Sequence, residues 1–414
     1  MNLASPIPSY RWVVMGTFCS MMLVWNLVSM SLGVMLPGMT EELGLTPLAA
    51  GWLGAVAFLA MAVLSIPFGN YLSGYSVKVI LGLAAVVATL TTFGQGWAPD
   101  LASELAMRSV FVIPLVFLRL APVLLIQQWF QAREYATANG ITNGAMNIAQ
   151  ALGLGLTPWL MILVGGWRNA FYFFGGLMLL TTILWLVLAR EHLHPEYQTR
   201  MAAQEGTPLR ALVRYRMLWL LAFCQIGSAL AWAAFLTFWP TFAIQDRGLS
   251  LITAGYLIGL LPFGSIFGSF LSGILSDRLG VRKPLIWLPG LCLPVCYLTI
   301  LSTDSIPVLA GVLFFSGFCA FVVVPVIYTL PYELEGIRPR EIAVASGLVF
   351  TITTFGGGSG PLVAGFLTQA TGSLHGALTV CALCAITLGV LPMFLPETGW
   401  RAQRRRAAQP SGRG

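Results

Sequence analysis

The chain has 414 residues, of which 57% are apolar and only 9% charged, against about a quarter charged in an ordinary soluble domain. The charged residues are bunched between long stretches that have almost none, which excludes a soluble globular protein. The net charge of +7 sits in those connections, so it reads as membrane orientation and attraction to anionic lipid, not as nucleic-acid binding.

A hydrocarbon layer about 30 Å thick needs roughly 20 apolar residues at about 1.5 Å rise each. Twelve such stretches are predicted, over 12–36, 48–71, 77–97, 104–127, 137–163, 168–190, 215–242, 251–275, 284–302, 307–331, 343–370 and 374–396. Each is predicted to be a helix, because in lipid the backbone must satisfy its own hydrogen bonds. The turns 97–104 and 163–168 are short, and neighbouring helices nearly touch there. The first span begins near Trp12 after a short polar start and is too long for the apolar core of a cleavable leader, so none is expected. All seven cysteines fall inside spans. Cys381 and Cys384 form a C-x-x-C pair with no histidine or second pair beside it, so packing is expected there rather than metal or redox chemistry. No cofactor, metal site or catalytic residue is predicted.

Of the 22 basic residues, all but Arg108, Arg119, Arg168 and Arg247 fall at the ends or in the even-numbered connections. The positive-inside rule then predicts a multi-pass protein of the plasma (inner) membrane with both termini cytoplasmic and an even number of spans. The basic tail from Arg401 to Arg406 reads as an anchor on membrane lipids.

The longest polar connection divides the chain into a six-span bundle over 1–190, a cytoplasmic linker over 191–214, a second six-span bundle over 215–400 and a basic tail over 401–414. The halves repeat each other. Residues 133–140 before span five and 340–347 before span eleven are identical at five of eight positions, at an offset of 207. Gly69 before span three matches Gly273 before span nine at an offset of 204. Parallel six-span repeats predict a transporter with a substrate site near the bilayer midplane, between the halves.

Between spans eight and nine the residues Gly273, Asp277, Arg278, Gly280, Arg282 and Lys283 stand in the pattern G-x-x-x-D-R-x-G-x-R-K. Trp129, Phe130, Arg133 and Glu134 end span four; Gly166, Trp167 and Arg168 follow span five; Gly356 to Pro361 form a glycine-rich stretch in span eleven. Together these resemble the major facilitator superfamily along the whole chain. The resemblance implies an all-α integral membrane fold, twelve helices in two pseudo-symmetric six-helix bundles, working by alternating access. It also implies that the Asp277 loop gates the cytoplasmic side, with Asp277 meeting the start of span five near Arg133 and Glu134. The plainer reading is a loop that is only positive-inside. The matching first-half loop, Gly69 to Lys78, lacks the acid and the first arginine, so a cytoplasmic latch would lean on the Asp277 copy.

Charges inside a span are expensive and are candidates for function. Arg108 and Arg119 lie in span four, eleven residues apart, so they point within about 20° of each other and are separated by roughly 16 Å along the axis. Counted back from Trp129, Arg108 falls where the superfamily often has a span-four arginine, without the glutamine and glycine that usually follow it. Arg108 either snorkels to the outer headgroups or guides an anion in. Arg119 either braces neighbouring helices or grips an anion through two hydrogen bonds. Span five carries a polar stripe of Asn139, Asn143, Asn147 and Gln150, either cavity lining or helix-to-helix glue. Asn26, Gln225, Trp232, Tyr256 and Tyr328 are further lining candidates.

Glu41, Glu42, Asp100, Asp246, Asp304, Glu333 and Glu335 are read into loops and Glu104 at an outer helix end, so no carboxylate is expected near a span centre. His192, His194 and His375 are also read into loops. Coupling then runs through the substrate's own charge, through exchange, or is absent. With no acid, histidine or metal-ligand cluster at depth, an enzyme is not expected. The leading expectation is a monomeric transporter of a small organic or inorganic anion. The alternative is an exporter of amphipathic drugs, on the 25 phenylalanines and 13 tryptophans. Pro396, Glu397, Thr398 and Gly399 resemble a sugar-porter tail or make a short polar stop.

Overall fold

The computed structural model describes residues 10–74, 76–130, 134–190, 216–333, 339–395 and 397. The predicted linker and basic tail, with His192 and His194, lie outside the described residues. The first helices are α1 (Arg11–Leu43), α2 (Pro47–Gly74), α3 (Val77–Trp97), α4 (Leu101–Trp129), α5 (Tyr135–Gly155), α6 (Thr157–Val164) and α7 (Trp167–Leu188). Then come α8 (Arg216–Gln245), α9 (Leu251–Leu279), α10 (Pro284–Ser302), α11 (Ile306–Glu333), α12 (Pro339–Thr371), α13 (Leu374–Cys384), α14 (Thr387–Val390) and a 3₁₀ turn (Leu391–Phe394).

Among the described residues ten helices are long and apolar enough to cross a membrane, or eleven with α5 and α6 as one bent span. Helix α12, 33 residues long, completes the twelve predicted spans; its Gly356–Gly360 cluster and Thr351, Thr353 and Thr354 make it less apolar than the others.

Several predicted boundaries are corrected. Span five is two helices bent by 49°, because Pro158 has no N–H to donate and its ring crowds the preceding turn. Span twelve runs as one stretch over Leu374–Phe394, with a turn after Cys384. There the hydroxyl of Thr387 accepts from the Gly227 N–H at 3.2 Å and donates to the Cys224 carbonyl at 3.1 Å, tying the turn to α8. Glu41 and Glu42 lie in the last turn of α1, Glu333 in the last turn of α11 and His375 in the first turn of α13, not in loops. Asp100 is the N-cap of α4 and accepts the Ser103 N–H at 2.8 Å; that bond holds its carboxyl below the usual range.

Two compact units are formed, one of Met1–Gly206 with Ser250–Gly259, the other of Thr207–Leu249 with Leu260–Gly414. In the first, α1 packs on α5 and α7, α3 on α4 and α7, and α2 on α4. In the second, α8 packs on α12 and α13, and α10 on α11, α13 and α14, while Gly264 and Gly268 of α9 lie against Phe314 and Phe318 of α11. Span for span, these are the same pairings. The repeat extends to single glycines: Gly153 rests on the Leu27 carbonyl, and Gly360, at the same offset of 207, rests on the Leu230 carbonyl. Only a residue without a Cβ lets the two backbones approach that closely.

Candidate functional site

In the first unit, the two arginines of α4 reach the two helices that pack on each other, α1 and α5. Arg108 is 2% exposed. Its Nη2 donates to the Ser29 carbonyl at 3.0 Å and its guanidinium lies 5.6 Å from the Phe111 ring. It is therefore held inside the bundle and does not snorkel. Ser29 stands one turn from Asn26, which is 1% exposed and donates to the Met22 carbonyl at 2.8 Å. Arg119 Nη1 donates to the Met146 sulfur, and Met146 adjoins Asn147 and stands one turn before Gln150. A thioether is a weak acceptor, so this contact orients the guanidinium without satisfying it. The Nε and Nη1 groups of Arg108 and the Nε of Arg119 are buried with no hydrogen-bond partner among the described residues.

The stripe on α5 divides. Asn139 and Asn143 are exposed, and Asn143 spends its amide on the Asn139 carbonyl at 2.9 Å. Asn147 is half-buried and Gln150 buried, on the stretch that Arg119 reaches. In the second unit Gln225 is buried with an Nε2 that has no hydrogen-bond partner among the described residues, and the Trp232 ring sits 4.9 Å from Phe321, joining α8 to α11. Tyr256 is half exposed. The Tyr328 side chain lies outside the described residues.

The signature stretch is partly helix rather than loop, since α9 runs on to Leu279 and ends at Gly280, whose φ of +62° suits glycine. Arg278 is exposed. The Asp277 and Gly273 environments and Arg133 lie outside the described residues. Glu134 accepts from Arg11 Nη1 at 2.8 Å. Glu397 occupies the start of α10: its carboxylate accepts the backbone N–H of Arg282 at 2.6 Å and of Lys283 at 3.1 Å, while Lys283 Nζ donates to the Met393 carbonyl at 2.6 Å. A carboxylate on the exposed N–H groups of a helix start is favoured by both hydrogen bonding and the helix dipole. The tail acid therefore clamps the last basic residues of the signature stretch.

At the opposite helix ends each unit has an arginine bracket. Arg168 Nε donates to Glu42 at 2.6 Å and Nη1 to the carbonyls of Gly96 and Ala98 at 3.2 and 2.6 Å, while Trp167 donates to Glu42 at 2.7 Å. Arg247 donates to the carbonyls of Thr303 and Leu301 at 2.6 and 2.5 Å. Both close the C-terminal end of a span-three equivalent, α3 or α10, where a cation suits the unpaired carbonyls.

The sequence model of the Major Facilitator Superfamily matches residues 13–336. The chain belongs to that superfamily. It is similar to a probable sulfoacetate transporter of Cupriavidus necator, 25% identical and covering 88% of each chain. It is likewise similar to a probable galactarate/D-glucarate transporter of Escherichia coli K12, 25% identical over 84% of this chain and 85% of that one. Among solved structures, a bacterial homologue of the human lysosomal transporter Spinster superposes with a TM-score of 0.78 at 16% identity, covering 93% of this chain and 95% of that one. The nucleoside transporter NupG gives 0.78 at 13% identity, covering 93% and 98%.

This superfamily member is a multi-pass membrane transporter of a small molecule, not an enzyme. Sequence reasoning named the two arginines and the stripe on α5, whose second half lies on the stretch that Arg119 reaches. It placed Glu104 at a helix end, where α4 has it in its first turn, but gave it no role, although it is fully buried; its spacing of four from Arg108 was the available signal. It also read Glu397 as a tail residue, and no local pattern pairs it with Arg282.

Proposed function

We propose that this transporter carries small organic anions. The observation that carries the reading is the pair of arginines on α4, Arg108 buried and Arg119 half-buried, each with buried guanidinium N–H groups that no described residue satisfies. A buried cation with free donors is costly, and a transiently bound carboxylate or sulfonate supplies what it lacks. Sulfoacetate and galactarate/D-glucarate, the compounds for which the relatives are named, are of this chemical class. Arg119 is assigned the main grip and Arg108 the guiding of the anion towards it. Asn26, Asn147, Gln150, Gln225, Trp232, Tyr256 and Tyr328 are assigned the neutral contacts around the ligand. The test is thermal stabilisation of the purified protein by D-glucarate, sulfoacetate and a panel of lipophilic cations. A ligand at a hundred times its Kd stabilises by about 2.7 kcal/mol, so anions should raise the melting temperature by degrees. Stabilisation by the lipophilic cations alone would favour a drug exporter.

The chain is placed as a monomer in the plasma membrane with cytoplasmic termini, the Gly273–Lys283 stretch facing inward and gating through Asp277, Arg278, Arg282 and the Arg133–Glu134 corner. The positive-inside distribution of the arginines supports the orientation in this reading. In a cysteine-free background, Arg278→Cys should react only with a reagent supplied from the cytoplasm, and Asp277→Asn should raise labelling of Asn143→Cys several-fold. Labelling of residue 278 from outside would reverse the orientation. Unchanged labelling at 143 would reduce Asp277 to a topological charge.

A further inference from the structure

We propose that Glu104 is a proton-binding site, and that its proton decides whether Arg108 is free to hold an anion. The second half of that statement rests on the anion reading above; the first half does not.

Glu104 lies in the first turn of α4, fully buried, and neither carboxyl oxygen has a hydrogen-bond partner among the described residues. Two cations act on it: Arg108, one turn along the same helix, and Arg168 from α7. Neither forms an ion pair with it. Arg168 is committed to Glu42 and to the Gly96 and Ala98 carbonyls. Arg108 spends Nη2 on Ser29 of α1 and leaves Nε and Nη1 unused. Near the end of α3, Gln95 is fully buried and its Oε1 also lacks a hydrogen-bond partner among the described residues. A carboxylate anion in such a place has lost its water and gained no donor, whereas a carboxylic acid forfeits far less. The side chain as placed suits the protonated form.

The two forms make different demands on Arg108. An ionised Glu104 one turn away is the strongest acceptor within its reach and would draw the two unused donors to itself, as a charge-assisted pair. Addition of one proton to a carboxyl oxygen cancels that attraction, and Nε and Nη1 remain for a ligand. The step breaks no bond and needs only a proton from solvent. Proton and anion then favour each other's binding, and by linkage each raises the affinity for the other by the same factor. A transporter built this way moves both in the same direction, and a monoanion crosses with its charge neutralised.

The test uses the full chain. In lipid nanodiscs, infrared titration of the wild type should show a carboxylic-acid C=O band that persists at neutral pH, where exposed carboxyls are ionised. The band should vanish in Glu104→Gln and reappear shifted in Glu104→Asp. A band of full strength in Glu104→Gln, or none in the wild type, overturns the proposal. In proteoliposomes, with D-glucarate and sulfoacetate as probes, an inward proton gradient should raise wild-type uptake several-fold, and Glu104→Gln should lose that stimulation. Stimulation of wild-type size in Glu104→Gln also overturns it. If neither probe moves while the band still follows Glu104, the anion reading fails for these probes and the proton site stands.

Discussion

Leucine at Gly360 is expected to destabilise the second unit by about 1–3 kcal/mol or more, and leucine at Gly153 to do the same to the first. A Cβ at Gly360 would meet the carbonyl of Leu230 and the backbone N of Ala234, and one at Gly153 would meet the carbonyl and Cα of Leu27. These neighbours are backbone atoms of a packed helix, so no rotamer change relieves the contact. The helices must separate and lose packing along their length, which in a membrane is much of what holds them together. Gly140, on the same α5, has nothing within 4 Å of a Cβ. Alanine there should be neutral or stabilise by a few tenths to about 1 kcal/mol, because glycine is the poorer helix former. Melting of the purified proteins in detergent checks the series. Wild-type melting for both Gly153→Leu and Gly360→Leu would mean that the repeat-related helix pairs are looser than described.

Those two glycines show why the architecture was so legible in the sequence. Spans are written as long uncharged stretches because lipid offers the backbone no other partner, and the repeat at 207 is written because two like bundles need like contacts. The bend at residue 156 was carried by Pro158, but the apolar run continues through it and conceals the break. The turn after Cys384 was not readable at all. It depends on Thr387 meeting Gly227 and Cys224 of α8, a contact 160 residues away in sequence.

The site divides in the same way. Arg108 and Arg119 announce themselves because a cation in an apolar helix has no local explanation. What each one touches is a tertiary fact: spacing along α4 puts them on one face but does not say that one finds Ser29 and the other Met146. Glu104 lies so close to the helix start that it passes for a surface residue until the bundle packs and leaves it fully buried. Glu397 looks like the polar end of a chain until its carboxylate is found on the N–H groups of Arg282 and Lys283, just before α10.

Loss of Arg119 is expected to remove anion binding almost entirely. Its guanidinium is oriented by Met146 and keeps Nε unsatisfied, so nearly all of its charge-assisted hydrogen bonding remains for a ligand. Removing one partner of a buried, hydrogen-bonded charge pair costs about 2–5 kcal/mol, which is roughly a 30-fold to several-thousandfold rise in Kd. Arg119→Lys keeps the positive charge but not the planar pair of donors, so its loss should be intermediate. The overall fold should survive, because the one contact given up within the protein is to a weak acceptor. The most direct measurement is the binding of D-glucarate and sulfoacetate to purified wild type, Arg119→Lys and Arg119→Gln, each first shown to melt like the wild type without ligand. A stepwise loss of anion affinity from wild type through lysine to glutamine is the predicted result; wild-type affinity in Arg119→Gln would contradict it and leave the arginine as a brace between α4 and α5.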